Sequence, residues 1–379
     1  SCQGSGAQAC ALAVLEPYLE RLGRRPLSAE RRTGLERLVA SGIMLGLPME
    51  EVLAGALTAY LLSPETLFVG TRVSSAPGVQ WLDGYGVAER LALAIWSSAP
   101  DAELLAAAAA GLLEPGRGLE QHVARMLSAP GLGERYLSSF VESYLHLSTL
   151  ESIGAGAPPT GIDSAAWPVL TRAMAQESHS FVAHLFNGNL GVSDLLDARY
   201  GFLNRPLANH YGIAVPASLG DGFERVELPA DSPFQGLLTQ GALLVPTHKD
   251  GVPEIFRGKE LNYLFACVEL PVPASADIQA QINDQLNDAE ATQAEKYASR
   301  NSQAACVGCH QQMDPLGKVF NGFDTAGRYS VTDPSGAVID TQASYDGTPV
   351  AGPVDVARLL KGKNFKECCL LYTSDAADE

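Results

Sequence analysis

Positive charge is scarce in this chain: 26 Lys and Arg stand against 43 Asp and Glu, a formal net charge of −17 over 379 residues. No Lys/Arg block stands out, so the phosphate-tracking footprint of a nucleic-acid binder is missing and nucleic acid is not an expected partner. Long apolar runs are missing too: none reaches the roughly 18–20 residues that a membrane-spanning helix requires. Nor is there a Gly-x-Ser-x-Gly elbow, a P-loop or a Gly-x-Gly-x-x-Gly turn, which leaves no hydrolase or nucleotide signature. What is present, 46% hydrophobic and 18% charged residues, belongs to globular proteins rather than disordered or fibrous ones.

The ends carry expectations of their own. The chain opens at Ser1 with no charged-then-apolar leader, so its natural start is expected upstream. The string from Cys369 to Glu379 resembles a translated sequencing adapter and is expected to be non-native. Of the seven cysteines, Cys2, Cys10, Cys267, Cys306, Cys309, Cys368 and Cys369, removing the last leaves an even number. Two sit together in Cys306-Val307-Gly308-Cys309-His310, and the other four suffice for two disulfides in an oxidising compartment.

The periodicity is mainly helical, predicting a multi-helical scaffold followed by a small cytochrome-c-like domain with a short β-hairpin. Met49 to Leu62 places Val52, Leu53, Ala56, Leu57, Tyr60 and Leu61 on one stripe, and Ser63-Pro64 ends it. A helix over about Val87–Trp96 is followed by another opening at Ser98-Ala99-Pro100-Asp101, with Pro100 in its first turn. Beyond the Gly154–Gly161 break, Asp163 or Ser164 is expected to cap a helix that carries Leu170, Met174, Glu177, Phe181 and His184 on one face. Gly222–Leu228 alternates like a strand, Pro253–Val268 returns to helix, and Ser275–Arg300 reads as a solvated helical connector. Arg328–Val331 and Ala337–Thr341 flank Asp333-Pro334-Ser335-Gly336 as a hairpin. The expected domains are 1–153, 162–273 and 274–368, with 369–379 as the non-native tail.

Cys-x-x-Cys-His is the attachment signature of c-type haem. Two thiols three positions apart on one helical turn reach the two vinyl groups on one porphyrin edge, and the following His310 lies under the iron as proximal ligand. Three other readings compete. A structural zinc site wants two more ligands at similar spacing, and no second Cys-x-x-Cys or His pair supplies them. A thioredoxin-like pair wants a βαβ context. A plain Cys306–Cys309 disulfide leaves His310 as coincidence. For the opposite face of the iron, Met313 is the only Met beyond His310 and sits on the proximal side; His210 and His248 are the tentative distal ligands.

The stretch Cys306-Val307-Gly308-Cys309-His310-Gln311-Gln312-Met313-Asp314-Pro315-Leu316-Gly317, followed by Phe323-Asp324-Thr325-Ala326-Gly327-Arg328-Tyr329, resembles the planctomycete and myxobacterial cytochrome-c-like proteins built from serial domains of unknown function. Further matching pieces are Ile95-Trp96-Ser97-Ser98-Ala99-Pro100-Asp101, Phe202-Leu203-Asn204 through Tyr211-Gly212, Gly236-Leu237-Leu238-Thr239-Gln240-Gly241 and Arg257-Gly258. The resemblance implies a secreted, periplasmic or cell-surface, mainly helical protein with one covalent haem c in its C-terminal region. It also implies the cysteine pairs Cys2–Cys10 and Cys267–Cys368. Departures are the absence of a His shortly before the haem motif, where Ala298-Ser299-Arg300-Asn301 stands, and Gly251-Val252-Pro253 in place of Thr-Ser-Pro. Any ligand or proton role at 298–301 is therefore not expected to apply.

The expected activity is single-electron transfer by a monohaem c-type module, the acidic surface suiting a basic redox partner. Two alternatives stand beside it. One is a haem enzyme of peroxidase or oxidase type with an open sixth position and Glu177 or a His as acid/base group; the other is a surface protein binding a polymer or partner, with the haem accessory.

Overall fold

Apolar residues recurring every three to four positions, punctuated by side-chain caps, make this chain mainly helical. The computed structural model describes residues 6–69, 82–132, 134–188, 190–248, 253–271, 292–304, 306–362 and 365. The chain divides into two compact units, residues 1–136 and 137–379.

In the first unit, α1 (Ala7–Leu22), α2 (Ala29–Met44) and α3 (Met49–Leu61) close around Leu15, Leu19, Val39 and Ala56. The α3 stripe is narrower than its periodicity suggests, because Leu61 is exposed. Ser63-Pro64 does end that helix, and Pro64 immediately starts a single turn, α4 (Pro64–Leu67), in the position where its missing N–H costs nothing. A second core, built on Ala92, Ile95, Trp96, Leu104 and Met126, joins α5 (Gly84–Trp96), α6 (Ala102–Ala109) and α7 (Leu119–Leu127). The buried Trp96 indole donates to the Met126 carbonyl at 2.9 Å. Asp101 is the N-cap of α6, accepting from the Leu104 N–H at 2.8 Å, so Pro100 precedes the helix instead of lying in its first turn. Positive charge does cluster here, contrary to the sequence expectation: Arg24, Arg25, Arg31 and Arg32 lie close in sequence. They pair with Glu89, Asp83, Glu65 and Glu16, which neutralises these four in place.

The division between units falls within α8 (Glu134–Tyr144). In the second unit α9 (Leu147–Gly154) meets α10 (Trp167–Asn187) at Gly154, where a Cβ would overlap the Thr171 hydroxyl. Asp163 caps the turn before α10, accepting from the Ala165 and Ala166 N–H groups, so the helix itself begins at Trp167. After α11 (Asp194–Asp197), β1 (Tyr200–Leu203) pairs antiparallel with β2 (Glu224–Glu227), Tyr200 facing Glu227 and Leu203 facing Glu224. Between them lies α12 (Arg205–Tyr211). Asn204 caps it from the Leu207 N–H at 3.0 Å, Pro206 sits in its first turn, and Gly212 closes it at φ +71°.

A 3-10 turn (Leu237–Thr239) and α13 (Gly241–Leu244) lead on to α14 (Pro253–Ala266), α15 (Gln293–Arg300) and α16 (Val307–Lys318). The start of α15 is a capping box between Thr292 and Glu295. The hairpin expected over 328–341 closes around its Asp333-Pro334-Ser335-Gly336 turn: the Asp333 N–H donates to the Ala337 carbonyl (2.9 Å), the Ile339 N–H to the Val331 carbonyl (3.0 Å), and Thr332 bridges Val338, without extended strands on either side. Asp333 also folds its carboxylate back onto the Ser335 and Ala337 N–H groups, which tightens the turn. A second hairpin follows, β3 (Ala343–Tyr345) with β4 (Thr348–Val350), turned by Asp346 and Gly347 at φ +47° and +74°, the two positive angles such a turn requires. α17 (Pro353–Gly362) comes last. The domain boundaries read from sequence at 153/162 and 273/274 both fall inside the second unit. Most of the expected connector, Cys2, Cys368 and the 369–379 tail lie outside the described residues.

Candidate functional site

The Cys-x-x-Cys-His segment is the first turn of α16. Cys306 occupies the N-cap, and its carbonyl accepts from the N–H groups of Cys309 (3.2 Å) and His310 (3.1 Å), so both thiols and the imidazole sit on one turn. Both cysteines are free, Cys306 buried and Cys309 partly exposed.

One turn further on, Asp314 reaches back to the imidazole: His310 Nδ1 and Asp314 Oδ1 are 2.8 Å apart, an i,i+4 pair on one helix face. Asp314 is fully buried. Its second oxygen accepts from Arg300 Nε at 3.0 Å and from Asn301 Nδ2 at 3.2 Å. Paired with the Arg300 guanidinium, this carboxylate is an acceptor, so the imidazole supplies an N–H, from Nδ1. That leaves His310 Nε2 as the bare nitrogen, and it makes no hydrogen bond among the described residues.

This turn is held by an unusually close helix crossing. A Cβ on Gly258 of α14 would overlap the Met313 carbonyl, and one on Gly317 of α16 would overlap the Glu254 carbonyl. Glycine at both positions therefore lets the two backbones touch. Between these contacts the buried Asn262 donates to the Gly258 carbonyl (2.7 Å) and the Gln312 carbonyl (2.9 Å), and accepts from the Tyr345 hydroxyl of β3 (2.8 Å). Arg257, 2% exposed, donates to the carbonyls of Phe320 (2.6 Å) and Phe323 (3.0 Å), fixing the chain that leaves α16. Burial pushes its guanidinium down to about 10, still a cation at neutral pH. Glu254 accepts from Asn321 Nδ2 at 3.0 Å and faces Arg300 at 3.9 Å. Two buried acids, Glu254 and Asp314, thus stand with two buried bases, Arg257 and Arg300.

The tentative distal ligands are both engaged. His210, in the last turn of α12, holds the Ala326 carbonyl through Nε2 at 2.8 Å. That carbonyl is presented by a tight loop in which the Asp324 carboxylate accepts from the N–H groups of Ala326 and Arg328. Burial depresses the basicity of His210, which matches a neutral ring donating from Nε2. His248 accepts at Nδ1 from Arg257 Nη2 at 3.1 Å, and burial with that adjacent cation lowers it to about 4. Its Nε2 faces away from that bond. Glu177 and His184, noted together on one α10 face, take separate partners. Glu177 accepts from the Tyr211 hydroxyl at 2.9 Å, while the His184 ring meets Tyr200 edge-on and Phe202 at a tilt. Desolvation raises Glu177 to about 8.

The donor set fits a haem better than a bare ion. Among the described residues no three His, Cys, Asp or Glu side chains converge to hold a metal ion, and Cys306, Cys309 and His310 are no exception. Zinc demands such convergence; thioether attachment with one axial imidazole takes the three groups at separate points of a macrocycle.

Sequence reasoning missed Asp314, Arg300, Asn301, Glu254 and Asn262. The signal for Asp314 was present as His-x-x-x-Asp, the i,i+4 spacing that puts both on one face. Residues 298–301, set aside for lacking a His, instead supply Arg300 and Asn301, which orient the carboxylate that orients His310. The connector's last turn is correspondingly buried at Arg300.

A family model described as a protein of unknown function, DUF1592 (PSD4), matches residues 82–213, and a second, DUF1588 (PSCyt3), matches residues 235–333. The second match contains the whole of α16. No curated protein and no solved structure matches the chain. No helix among the described residues is long and apolar enough to cross a membrane. The chain is therefore similar, over 82–213 and 235–333, to two of the serial domains of unknown function in the cytochrome-c-like group.

Proposed function

We propose that this protein is an extracytoplasmic monohaem c-type cytochrome-like protein that transfers single electrons. Cys306 and Cys309 would form the thioethers and His310 would be the proximal iron ligand. The observation that carries the reading is the state of the first turn of α16: two free thiols beside an imidazole whose Nδ1 is taken by a buried carboxylate and whose Nε2 has no hydrogen-bond partner among the described residues. When bound, the haem supplies a one-electron iron couple. The chain's own residues orient the ligand and bury one side of the attachment turn. The acidic surface suits a basic redox partner, and the pairs Cys2–Cys10 and Cys267–Cys368 suit a periplasmic or cell-surface location. Finding those four cysteines alkylatable without reductant would remove the support for that location.

The test of the haem reading is spectroscopic. Protein matured with haem-attachment machinery is expected to give a pyridine haemochrome spectrum of c-type and a reversible reduced-minus-oxidised difference; chain without covalent haem after such maturation would reject it. One observation favours a second reading, a haem enzyme with an open sixth position: His210 Nε2 is already committed to the Ala326 carbonyl. A high-spin ferric spectrum with fast cyanide binding would select the enzyme, whereas a low-spin bis-His spectrum would select electron transfer with His248 or a released His210 as the distal ligand.

A further inference from the structure

A histidine that binds a metal through one ring nitrogen is tuned through the other, because a hydrogen bond to that second N–H fixes the tautomer, fixes the ring plane and raises ligand basicity. The strength of this effect depends on the acceptor. A neutral backbone carbonyl draws the proton weakly; an ionised carboxylate draws it strongly and returns electron density to the ring. In this chain the acceptor is a carboxylate, it comes from the same helix one turn away, and it is fully buried.

Burial alone would make such a carboxylate costly and mobile in charge. Its surroundings remove both problems. Arg300 Nε and Asn301 Nδ2 together satisfy Oδ2, leaving Oδ1 facing the imidazole alone. Arg300 is itself 4% exposed and faces Glu254, and Glu254 is anchored by Asn321. The backbone under this cluster cannot drift, since Gly258 against Met313 and Gly317 against Glu254 lock α14 onto α16 on both sides of Asp314. Arg300 and Asn301, at the end of α15, therefore hold Oδ2, α14 fixes the α16 backbone on either side of Asp314, and Oδ1 is turned to His310 Nδ1.

We propose that Asp314, held by Arg300 and Asn301, is the positioning residue of the site: it keeps the His310 proton on Nδ1, presents Nε2 to the iron, and makes the imidazole an electron-rich ligand that favours the ferric over the ferrous state. The proposal rests on the haem reading for its redox part and on the protein alone for its tautomer part. With haem bound, electron density from Asp314 through the ring would stabilise the ferric state, which would give a lower midpoint potential than a carbonyl-bonded histidine.

Two measurements test it separately. In the matured full-length protein, Asp314→Asn keeps the shape and one acceptor oxygen but removes the charge; the ferric-to-ferrous equilibrium is expected to move about tenfold towards ferrous, a rise of about 59 mV for one electron. A rise of less than threefold, or any fall, with haem attached and the ultraviolet circular dichroism unchanged, overturns the proposal while leaving the haem reading intact. The second needs neither haem nor a folded variant. In the full chain produced without attachment machinery, long-range 1H–15N NMR is expected to find the His310 proton on Nδ1. A proton on Nε2 overturns it. Failure of haem to attach would sink the functional reading and its redox part, and the tautomer result would still decide what Asp314 does to the ring.

Discussion

Both units carry exposed ion pairs, and they differ in how much charge each gathers in its interior. In residues 1–136 the ion pairs Arg31–Glu65, Arg32–Glu16 and Arg25–Asp83 leave at least one partner well exposed, and Arg24 with Glu89 is the buried exception. In residues 137–379 Arg257, Arg300, Asp314 and Glu254 are all buried, around the turn that carries His310. Surface pairs contribute little and tolerate change, whereas buried charges are costly unless every partner is in place. Four buried charges gather where α14, α15 and α16 meet, whereas in residues 1–136 the buried ion pair is Arg24 with Glu89.

Within the second unit a finer contrast lies between two carboxylates. Asp314 takes an imidazole, a guanidinium and an amide. Glu177, on α10, takes the Tyr211 hydroxyl and faces no cation among the described residues, and desolvation raises it to about 8. Burial thus sets one carboxyl among charged and polar donors, and in the other place holds Glu177 protonated at neutral pH.

The largest effect is expected from removing one member of the buried cluster. Arg257→Met should cost about 3–5 kcal/mol in urea unfolding, because it strips the donors from the Phe320 and Phe323 carbonyls and leaves Glu254 with less compensation. A loss below about 1 kcal/mol would erase the contrast between the units. Gly258→Ala should follow at about 3 kcal/mol, at the upper end of overpacking penalties, since the new Cβ meets backbone rather than a side chain that can turn away. The same change at Gly34, where a Cβ meets nothing, is the control and should be neutral or slightly stabilising.

Glu177 sharpens the contrast through pH. Its carboxyl is raised in the fold, so the folded state holds the proton more tightly than the unfolded one, and stability falls as pH rises from about 4.5 to about 8. Glu177→Gln should flatten that slope and make the protein about 2 kcal/mol more stable than wild type at alkaline pH. Parallel wild-type and variant Tm profiles across the window would contradict the account. The smallest effect belongs to the surface: Arg31→Ala should cost less than about 1 kcal/mol, and should cost still less at high salt.

Much of the helical scaffold was legible because periodicity and caps are local. Met49–Leu61, Pro253–Ala266 and Glu224–Glu227 lie within a residue or two of their sequence readings. What was not legible depends on long-range approach. Gly258 and Gly317 interrupt helices without any periodic signal, and only their juxtaposition explains them. The turn at Asp333-Pro334-Ser335-Gly336 is legible and does join Val331 to Ile339, while the stronger β3–β4 pairing is carried by Asp346-Gly347, a two-residue turn signal just beyond it. At the candidate site the motif itself, Cys306, Cys309 and His310, was local and readable. Its supports were half hidden: Asp314 followed from i,i+4 spacing, but nothing in Ala298-Ser299-Arg300-Asn301 indicated that the last two residues would grip it.

The central claim is that one turn of α16 carries a covalent haem on two thiols with His310 beneath the iron. Mass analysis of proteolytic fragments from the matured protein tests it most directly. The fragment containing residues 306–310 is expected to carry one haem, and replacing both Cys306 and Cys309 with Ser should abolish the attachment. That fragment recovered at its bare mass with two free thiols, or haem retained after both replacements, would contradict the account.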